Sequence, residues 1–329
     1  MTAPTVLAVD VGGTHTRAAI AASDGRQCTL LREQRYLSAE YPDLLPILRD
    51  FLAAGDERPA HGCIAVAGPI MDGGRRVRVT NLPWQLDSET LRTALGFARL
   101  SFINDFAAVG LGIAALDADD LVTLQSGEPQ AQAPRAVLGA GTGLGQALLV
   151  WRDGGYDVLP TEGSHADFAP QSDLQIDLLR ALQREFGHVS YERLVSGPGL
   201  VYLYRFLREQ GAAPTADLTQ IAPDRDPAAA VAAAALAGSD PLAVRALDEF
   251  TRIYGAQAGN LAFASLPFGG LYVAGGIAPK ILGKLRDGTF LAAFNAKGRM
   301  EAVTQRIPVH VVIHPNPGLL GAALTAGRD

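Results

Sequence analysis

The sequence predicts an α/β protein built from two related halves. The first observation is a short apolar run, 6–9, which ends in the glycine-rich turn 10–14 and is followed at once by a second apolar run, 17–21. The second observation is that the same pattern of strand, glycine turn and strand recurs over 136–151, around the turn 139–145. Strand and helix signals then alternate to the end of the chain, as they do in α/β proteins.

Apolar periodicity and turn residues predict the remaining elements. Further strands are expected at 29–36, 62–67, 100–103, 270–274 and 309–313, several of which end at glycine or asparagine. Helices are expected at 41–54, 90–96 and 107–116, and as a buried alanine-rich helix at 228–236, while 127–134 reads as a linker. No helix signal follows the first glycine turn, which disfavours a Rossmann fold because its glycine loop opens a helix.

Composition narrows the class of protein. A chain of 329 residues is long enough for about two domains. The net charge of −6 argues against sequence-independent electrostatic binding of nucleic acid. Only two cysteines occur, Cys28 and Cys63, which excludes a disulfide framework and a multi-cysteine zinc cluster, and we expect both to be buried.

The start of the chain lacks the features of a signal peptide, and no apolar stretch reaches the ~18 residues that span a membrane. A cytoplasmic protein with no membrane partner is therefore expected.

The two glycine turns predict phosphate binding. Glycine lets backbone N–H groups approach an anion closely, and Thr14 and Thr142 add hydroxyl donors. The alternative is that both turns are tight hairpins in which glycine is simply required by the backbone. Asp10 lies beside the first turn, where a carboxylate would repel phosphate unless a cation intervened, so it is a candidate partner of Mg²⁺; otherwise it is a turn residue.

A second candidate group follows the strand at 100–103. Asp105 stands where catalytic groups of α/β sheets collect, and it could accept a proton from an attacking hydroxyl. The alternative is that Asn104 or Asp105 caps the following helix.

Polar residues after the second glycine turn suggest a polyol site. Glu162 and His165 lack a third metal ligand at a familiar spacing, so hydrogen bonds to sugar hydroxyls are the better interpretation. Glu192 is equally consistent with a functional residue and with an acidic residue at the start of a helix. Gly275 and Gly276 follow an apolar strand, where they suit either an adenine lying against the backbone or a plain turn.

Together these segments resemble the bacterial ATP-dependent glucokinase family of the hexokinase, heat-shock-chaperone and actin superfamily. The resemblance runs almost end to end and rests on the order and spacing of seven segments: 9–14, 102–106, 139–145, 162–170, 187–200, 273–277 and 316–321.

The resemblance implies a fold of two ribonuclease-H-like (actin-like ATPase) domains with a cleft between two lobes. The small domain would comprise 1–115 and 306–329, and the large domain 116–305. It also implies a homodimer, with glucose and ATP as substrates and Mg²⁺ as cofactor. Asp105 would be the base for the sugar 6-hydroxyl and Asp10 would hold Mg²⁺ through water. The implied sugar-binding residues are Asn104, Asp105, Glu162, His165 and Glu192. The implied ATP-binding residues are Val9, Asp10, Val11, Gly12, Gly13, Thr14, Gly141, Thr142, Gly143, Gly275 and Gly276.

Three positions depart from the family pattern. His15 replaces the usual asparagine, and Thr161 and Ser164 stand where glycine is usual, which leaves the hexose preference open. One alternative is a kinase for another hexose or an amino sugar, although those relatives carry a cysteine-rich zinc motif. Another is a non-enzymatic sugar-sensing regulator, although this chain shows no DNA-binding segment.

Overall fold

The computed structural model describes residues 3–80, 82–211, 217–222 and 225–328. Residues 1, 2 and 329, at the ends of the predicted small domain, lie outside the described residues. Internal contacts divide the chain into two units. The first comprises 1–120, 149–160 and 314–329, and the second comprises 121–148 and 161–313.

The strands run through both units. They are β1 (Thr5–Val11), β2 (His15–Ser23), β3 (Cys28–Leu37), β4 (His61–Val66), β5 (Ile70–Met71), β6 (Arg76–Arg78), β7 (Gln85–Asp87), β8 (Arg99–Asn104), β9 (Leu121–Gln125), β10 (Arg135–Ala140), β11 (Leu144–Arg152), β12 (Gly155–Thr161), β13 (Leu271–Ala274) and β14 (Val309–Val312).

The helices alternate with these strands. They are α1 (Leu44–Ala53), α2 (Ser88–Leu95), α3 (Asp105–Gly112), α4 (Asp173–Phe186), α5 (Gly197–Glu209), α6 (Pro227–Leu236), α7 (Pro241–Ser265), α8 (Leu282–Leu285), α9 (Thr289–Asn295), α10 (Glu301–Thr304) and α11 (Pro317–Arg328).

A five-stranded sheet in the order β3-β2-β1-β4-β8 organises the first unit. Strand β1 runs antiparallel to β2 and parallel to β4, and β4 runs parallel to β8. The short strands β5, β6 and β7 form a sheet of their own. Helix α1 buries Leu44, Ile47, Leu48 and Phe51, the i, i+3, i+4, i+7 face of an amphipathic helix.

Helices α3 and α11 of the first unit pack backbone against backbone. A Cβ on Gly112 would overlap the carbonyl of Pro317, and a Cβ on Gly321 would overlap the carbonyl of Ala108. Two glycines therefore set the separation of these helices, and any side chain at either position must force them apart.

The second unit is built on a sheet in the order β12-β11-β10-β13-β14-β9. Strands β10, β13 and β14 are parallel neighbours, and β9 pairs antiparallel with β14. The outer parts of β11 and β12, within 149–160, are counted with the first unit. Both sheets place the two strands that flank a glycine turn side by side and then add parallel strands from later in the chain. This repeated order confirms the predicted duplication of one α/β unit.

The alanine-rich segment is a helix, as predicted, but it is not buried. In α6 only Val231 is buried, while Ala229 and Leu236 are exposed. Asp226 caps this helix by accepting a hydrogen bond from the amide of Ala228 (2.9 Å). Alanine is apolar around the whole circumference of such a helix and buries little area at each position, so composition alone does not set its burial.

The two cysteines differ in their surroundings. Cys63 is buried, as expected, but Cys28 is only partly buried and donates from Sγ to the carbonyl of Leu320 (3.7 Å). Cys28 lies on β3, an outer strand of its sheet, whereas Cys63 lies on the interior strand β4, which explains the difference.

Across the described ranges, no single helix is both long and apolar enough to cross a bilayer. Helices α6 and α7 meet those criteria only as a pair, which is bent by 101°.

Candidate active site

The first glycine turn, 12–14, joins β1 to β2 as a tight hairpin. The amide of Gly12 donates to the carbonyl of His15 (3.0 Å), and the amide of Ser38 donates to the carbonyl of Thr14 (3.0 Å). Ser38 Oγ also donates to the carbonyl of Gly12 (3.0 Å). The glycines therefore serve the hairpin, and the neighbouring Ser38 fixes the turn in one conformation. A turn held in this way is pre-formed for a ligand, although its contacts with phosphate stay a prediction.

Asp10 is the charged residue beside that turn. It lies between Val9 and Val11, whose side chains are fully buried, and it is itself partly exposed. Burial, and after it the negative charge of Asp105, raise the pKa of Asp10 to about 6, while Arg17 opposes the shift. Two carboxylates of like charge thus act on each other within the first unit.

The surroundings of Asp10 fit a divalent cation. Carboxylates are acceptors only, and Mg²⁺ takes one or two of them while completing its shell with water and substrate phosphates. No cluster of three or more His, Cys, Asp or Glu side chains that could hold a metal occurs in the described part of the chain.

Asn104 and Asp105 stand at the junction of β8 and α3, and the structure separates their roles. Asn104 is the N-cap of α3: its Oδ1 accepts hydrogen bonds from the amides of Phe106 and Ala107, both at 3.0 Å. Asp105 is the first residue of the helix, and its Oδ1 accepts from the amide of Phe106 (2.9 Å). The cap interpretation is thus correct for Asn104, whose amide nitrogen stays available as a donor to a ligand.

The second glycine turn belongs to the second unit and contacts the segment around Glu192. The amide of Gly141 donates to the carbonyl of Gly143 (2.8 Å), which closes the turn. The amide of Gly197 donates to the carbonyl of Gly141 (2.8 Å), and the amide of Leu144 donates to Glu192 Oε2 (3.0 Å). Thr142, at the tip of the turn, is exposed. Glu192 lies in the first turn of a short 3₁₀ helix, Tyr191–Arg193, whose N-cap is Ser190, so its interpretation as an acidic residue at a helix start is also correct.

Three of the predicted sugar-binding residues come together in the second unit. His165 Nε2 lies 3.7 Å from Glu162 Oε2, and His165 Nδ1 lies 3.8 Å from Glu192 Oε1. The side chain of Glu162 is 89% exposed and that of His165 is 55% exposed, whereas Glu192 is 33% exposed. Two carboxylates and an imidazole with accessible polar atoms form a cluster suited to bind several hydroxyls in fixed directions.

One of the two unusual residues in this loop, Thr161, stabilises it from within. Thr161 Oγ1 accepts a hydrogen bond from the amide of Gly163 (2.9 Å), and the amide of His165 donates to the carbonyl of Glu162 (2.9 Å). Ser164 is buried. The side chain of Thr161 therefore orders the loop. The third unusual residue, His15, begins β2 and pairs with Leu37 of β3.

The two glycines after β13 have different environments. Gly275 has a φ of +83°, and a Cβ there would lie 2.5 Å from the carbonyl oxygen of Ala140, so the backbone requires glycine. The amide of Ile277 donates to that same carbonyl (3.1 Å). A Cβ at Gly276 would meet open space. The turn interpretation thus accounts for Gly275, and Gly276 is the position with room for a ligand.

One polar residue of this region escaped the sequence interpretation. Gln146 lies on β11, is 4% exposed, and its Nε2 has no hydrogen-bond partner in the described residues. Its Oε1 would lie 2.7 Å from a Cβ at Gly163, so it packs against the loop that carries Glu162 and His165. The available signal was a glutamine within an otherwise apolar strand, since buried amides need partners.

A model of the glucokinase family matches residues 7–329 of the chain. This chain belongs to the glucokinase family. It is 44% identical to the glucokinase of Nostoc punctiforme over 339 aligned residues, which cover 98% of this chain and 99% of that protein.

Solved structures agree with the family in fold. The crystal structure of a glucokinase from an Antarctic psychrotroph is 32% identical, with a TM-score of 0.85 and coverage of 99% of both chains. A glucokinase of the ROK family from Streptomyces griseus, solved with glucose and AMPPNP, has a TM-score of 0.67 at 22% identity and covers 99% of this chain and 100% of that one. These neighbours have the actin-like ATPase fold, which confirms the predicted fold class for this glucokinase-family chain.

Proposed function

We propose that this chain transfers the γ-phosphoryl group of ATP to O6 of glucose and releases glucose 6-phosphate and ADP. The observation that carries the proposal is the match to glucokinases over almost the whole chain. The convergence of Glu162, His165 and Glu192 in one cluster also supports it, since carboxylates and imidazoles can bind sugar hydroxyls in fixed directions.

Asp105 is proposed as the general base. It accepts the proton of the 6-hydroxyl as O6 forms its bond to the γ-phosphorus and the bond from that phosphorus to the bridging oxygen of ADP breaks. Its place at the first residue of α3, with the amide of Phe106 donating to Oδ1, fixes the carboxylate in one orientation. General-base assistance contributes about 10²–10⁴-fold to such a rate, and the rest is positioning and electrostatics.

The glycine turns and Asp10 are proposed to hold the nucleotide. Val9 and Val11 have buried side chains, so they contribute backbone groups only. The amides of Gly12, Gly13, Gly141 and Gly143, with the hydroxyls of Thr14 and Thr142, would bind phosphate oxygens. Mg²⁺, held near Asp10 through water, would neutralise charge on those phosphates. Gly275 and Gly276 would receive the adenosine.

The sugar is proposed to bind to Asn104, Asp105, Glu162, His165 and Glu192. Carboxylates accept from hydroxyls and the asparagine amide donates to them, so the set provides both polarities that a polyol requires. Asn104 uses its carbonyl oxygen to cap α3, which assigns the donor role to its amide nitrogen.

A coupled assay of ADP release tests the function. Purified protein is given ATP and Mg²⁺ with glucose, mannose, fructose, galactose or N-acetylglucosamine in turn, and without any sugar. We expect turnover to require a hexose and to have its highest kcat/KM with glucose. Turnover that is absent, or independent of sugar, would contradict the proposal, and a preference for an amino sugar would replace glucose as the substrate. Removal of Mg²⁺ with EDTA should abolish turnover, and excess Mg²⁺ should restore it.

The remaining expectations are a homodimer and a cytoplasmic location, where ATP and glucose are both available. Light scattering of the purified protein during size-exclusion chromatography tests the first of these. Fractionation of the source cells tests the second.

A further inference from the structure

The second glycine turn and the Glu192 segment are joined by two hydrogen bonds. One links the amide of Leu144 to Glu192 Oε2 (3.0 Å), and the other links the amide of Gly197 to the carbonyl of Gly141 (2.8 Å). A turn proposed to bind phosphate is thus bonded directly to a segment proposed to bind sugar, within one unit of the chain.

Gly143 makes the first of these bonds possible. A Cβ at this position would lie 2.5 Å from Glu192 Oε2 and 3.3 Å from its Cδ, closer than such contacts allow. Gly143 is not among the glycines with positive φ, so its backbone does not itself require glycine. The space that Glu192 occupies is therefore the structural reason for glycine at 143. Gly141 differs, because a Cβ there would have no atom within 4 Å.

The bond to Leu144 also distinguishes Glu192 from Glu162. The charged carboxylate of Glu192 holds one oxygen on a backbone amide while its other oxygen faces His165 at 3.8 Å. The side chain of Glu162 is 89% exposed, and within the described residues its carboxylate has only the 3.7 Å approach to His165. Hydrogen bonds to charged groups are stronger than neutral ones and fix geometry, so Glu192 is the pre-organised carboxylate of the pair.

We propose that Gly143 is a positioning residue for the sugar, acting through Glu192. The missing side chain lets Glu192 reach the Leu144 amide, and this bond directs its free oxygen toward the sugar. The inference rests on the proposed function of the chain as a glucose kinase. It adds that the second glycine turn contributes to the sugar affinity through Glu192.

Two alanine variants of the same turn separate this role from a general defect of the turn. Glucose binding is measured by isothermal titration calorimetry without nucleotide. Gly143→Ala should weaken glucose affinity about 10- to 100-fold, because the displaced carboxylate loses a charge-assisted hydrogen bond and its orientation. Gly141→Ala should leave glucose affinity within about twofold, whatever it does to ATP binding. Equal losses in both variants would contradict a specific role for Gly143.

A double-mutant cycle with Glu192→Ala distinguishes positioning through Glu192 from a general structural effect of the Gly143→Ala substitution. Without the Glu192 side chain, a Cβ at 143 has no carboxylate to displace. Gly143→Ala should then cause no further loss of glucose affinity, and the melting temperatures of all variants should stay close to that of the wild type. Additive losses in the cycle would overturn the proposal.

Turnover of glucose by the wild-type enzyme distinguishes a failure of the proposed function from a failure of the proposed role of Gly143. If it does not phosphorylate glucose, the proposed function fails and the cycle is not interpretable as sugar positioning, so the inference falls with it. If it phosphorylates glucose and the losses are additive, the proposed function stands and only the role of Gly143 is refuted.

Discussion

Asp10 and Asp105 act on each other through their charges within the first unit. Burial and the charge of Asp105 together raise the pKa of Asp10 to about 6, with Arg17 opposing the shift. The free enzyme therefore keeps like charges close together where the proposed chemistry needs a metal-binding carboxylate and a base. Such an arrangement costs stability in the absence of a cation, as functional sites often do.

Neutralising Asp10 should stabilise the free protein at alkaline pH. The folded-state pKa of about 6 lies above the ordinary value of 3.8, so the folded state binds more protons between those values. The contribution of Asp10 is thus most favourable below pH 3.8 and is lost as the pH rises through 6. Asp10→Asn, without nucleotide or Mg²⁺, should raise the free energy of unfolding at pH 8 by about 1–2 kcal/mol, and by about half as much at pH 5. Thermal unfolding at both pH values measures the difference.

A control of opposite sign is available for this prediction. Asp24 is an exposed acid whose pKa is lowered by hydrogen bonds from the backbone amides of Gln27 and Arg26. Asp24→Asn should lower the melting temperature slightly at pH 8 rather than raise it. A stabilising effect of Asp10→Asn that is the same at pH 5 and pH 8 would contradict the charge argument. Asp10→Asn should also lose most Mg²⁺-dependent turnover.

The hydroxyl of Thr161 should contribute to glucose binding through loop order. Thr161→Val removes the acceptor of the Gly163 amide while keeping the shape of the side chain. Since a hydrogen bond contributes about 0.5–1.5 kcal/mol net, glucose KM should rise about threefold to tenfold with ATP KM unchanged. Thr161→Ser keeps the hydroxyl and should behave like the wild type. A glucose KM that is the same in the Val and Ser variants would show that the bond does not matter for binding.

The contact of α3 with α11 should tolerate no side chain at Gly321. Gly321→Ala places a Cβ on the carbonyl of Ala108, and backbone cannot move aside as a flexible side chain can. We expect destabilisation of at least about 2 kcal/mol, seen as a lower melting temperature. Gly283→Ala in α8 is the matched control, because a Cβ there meets no atom within 4 Å, and it should leave stability unchanged or slightly higher. Equal melting temperatures for the two variants would contradict the packing argument.

The sequence predicted the strand and helix order well where local chemistry decides it. The two strand–glycine turn–strand units could be predicted because each begins with a short apolar run that ends in a glycine-rich segment. The burial of α6 was predicted wrongly because alanine shows no apolar stripe. The burial of Cys28 was overestimated because the sequence does not show which strand is outermost.

The candidate site was predictable in its members but not in its contacts. Glu162 and His165 are three residues apart, so their proximity follows from local spacing. Glu192 and Leu144 are separated by 48 residues, and their bond involves a backbone amide, which carries no sequence signal. The proposed role of Gly143 could not be predicted either. In the sequence, a glycine that leaves room for the Glu192 side chain cannot be distinguished from a glycine that a turn requires. The predicted domain boundaries at 115/116 and 305/306 stay a prediction that limited proteolysis can test.

The most direct test of Asp105 as the general base is the turnover of Asp105→Asn with ATP, Mg²⁺ and glucose, measured as ADP release. Asparagine preserves the size of the side chain and the acceptor for the Phe106 amide, but it cannot take the proton of the 6-hydroxyl. We expect kcat to fall at least about 100-fold while glucose affinity stays near that of the wild type and the melting temperature does not fall, since the substitution also removes the charge that opposes Asp10. A variant that phosphorylates glucose at a near-normal rate would contradict the assignment of Asp105 as the base.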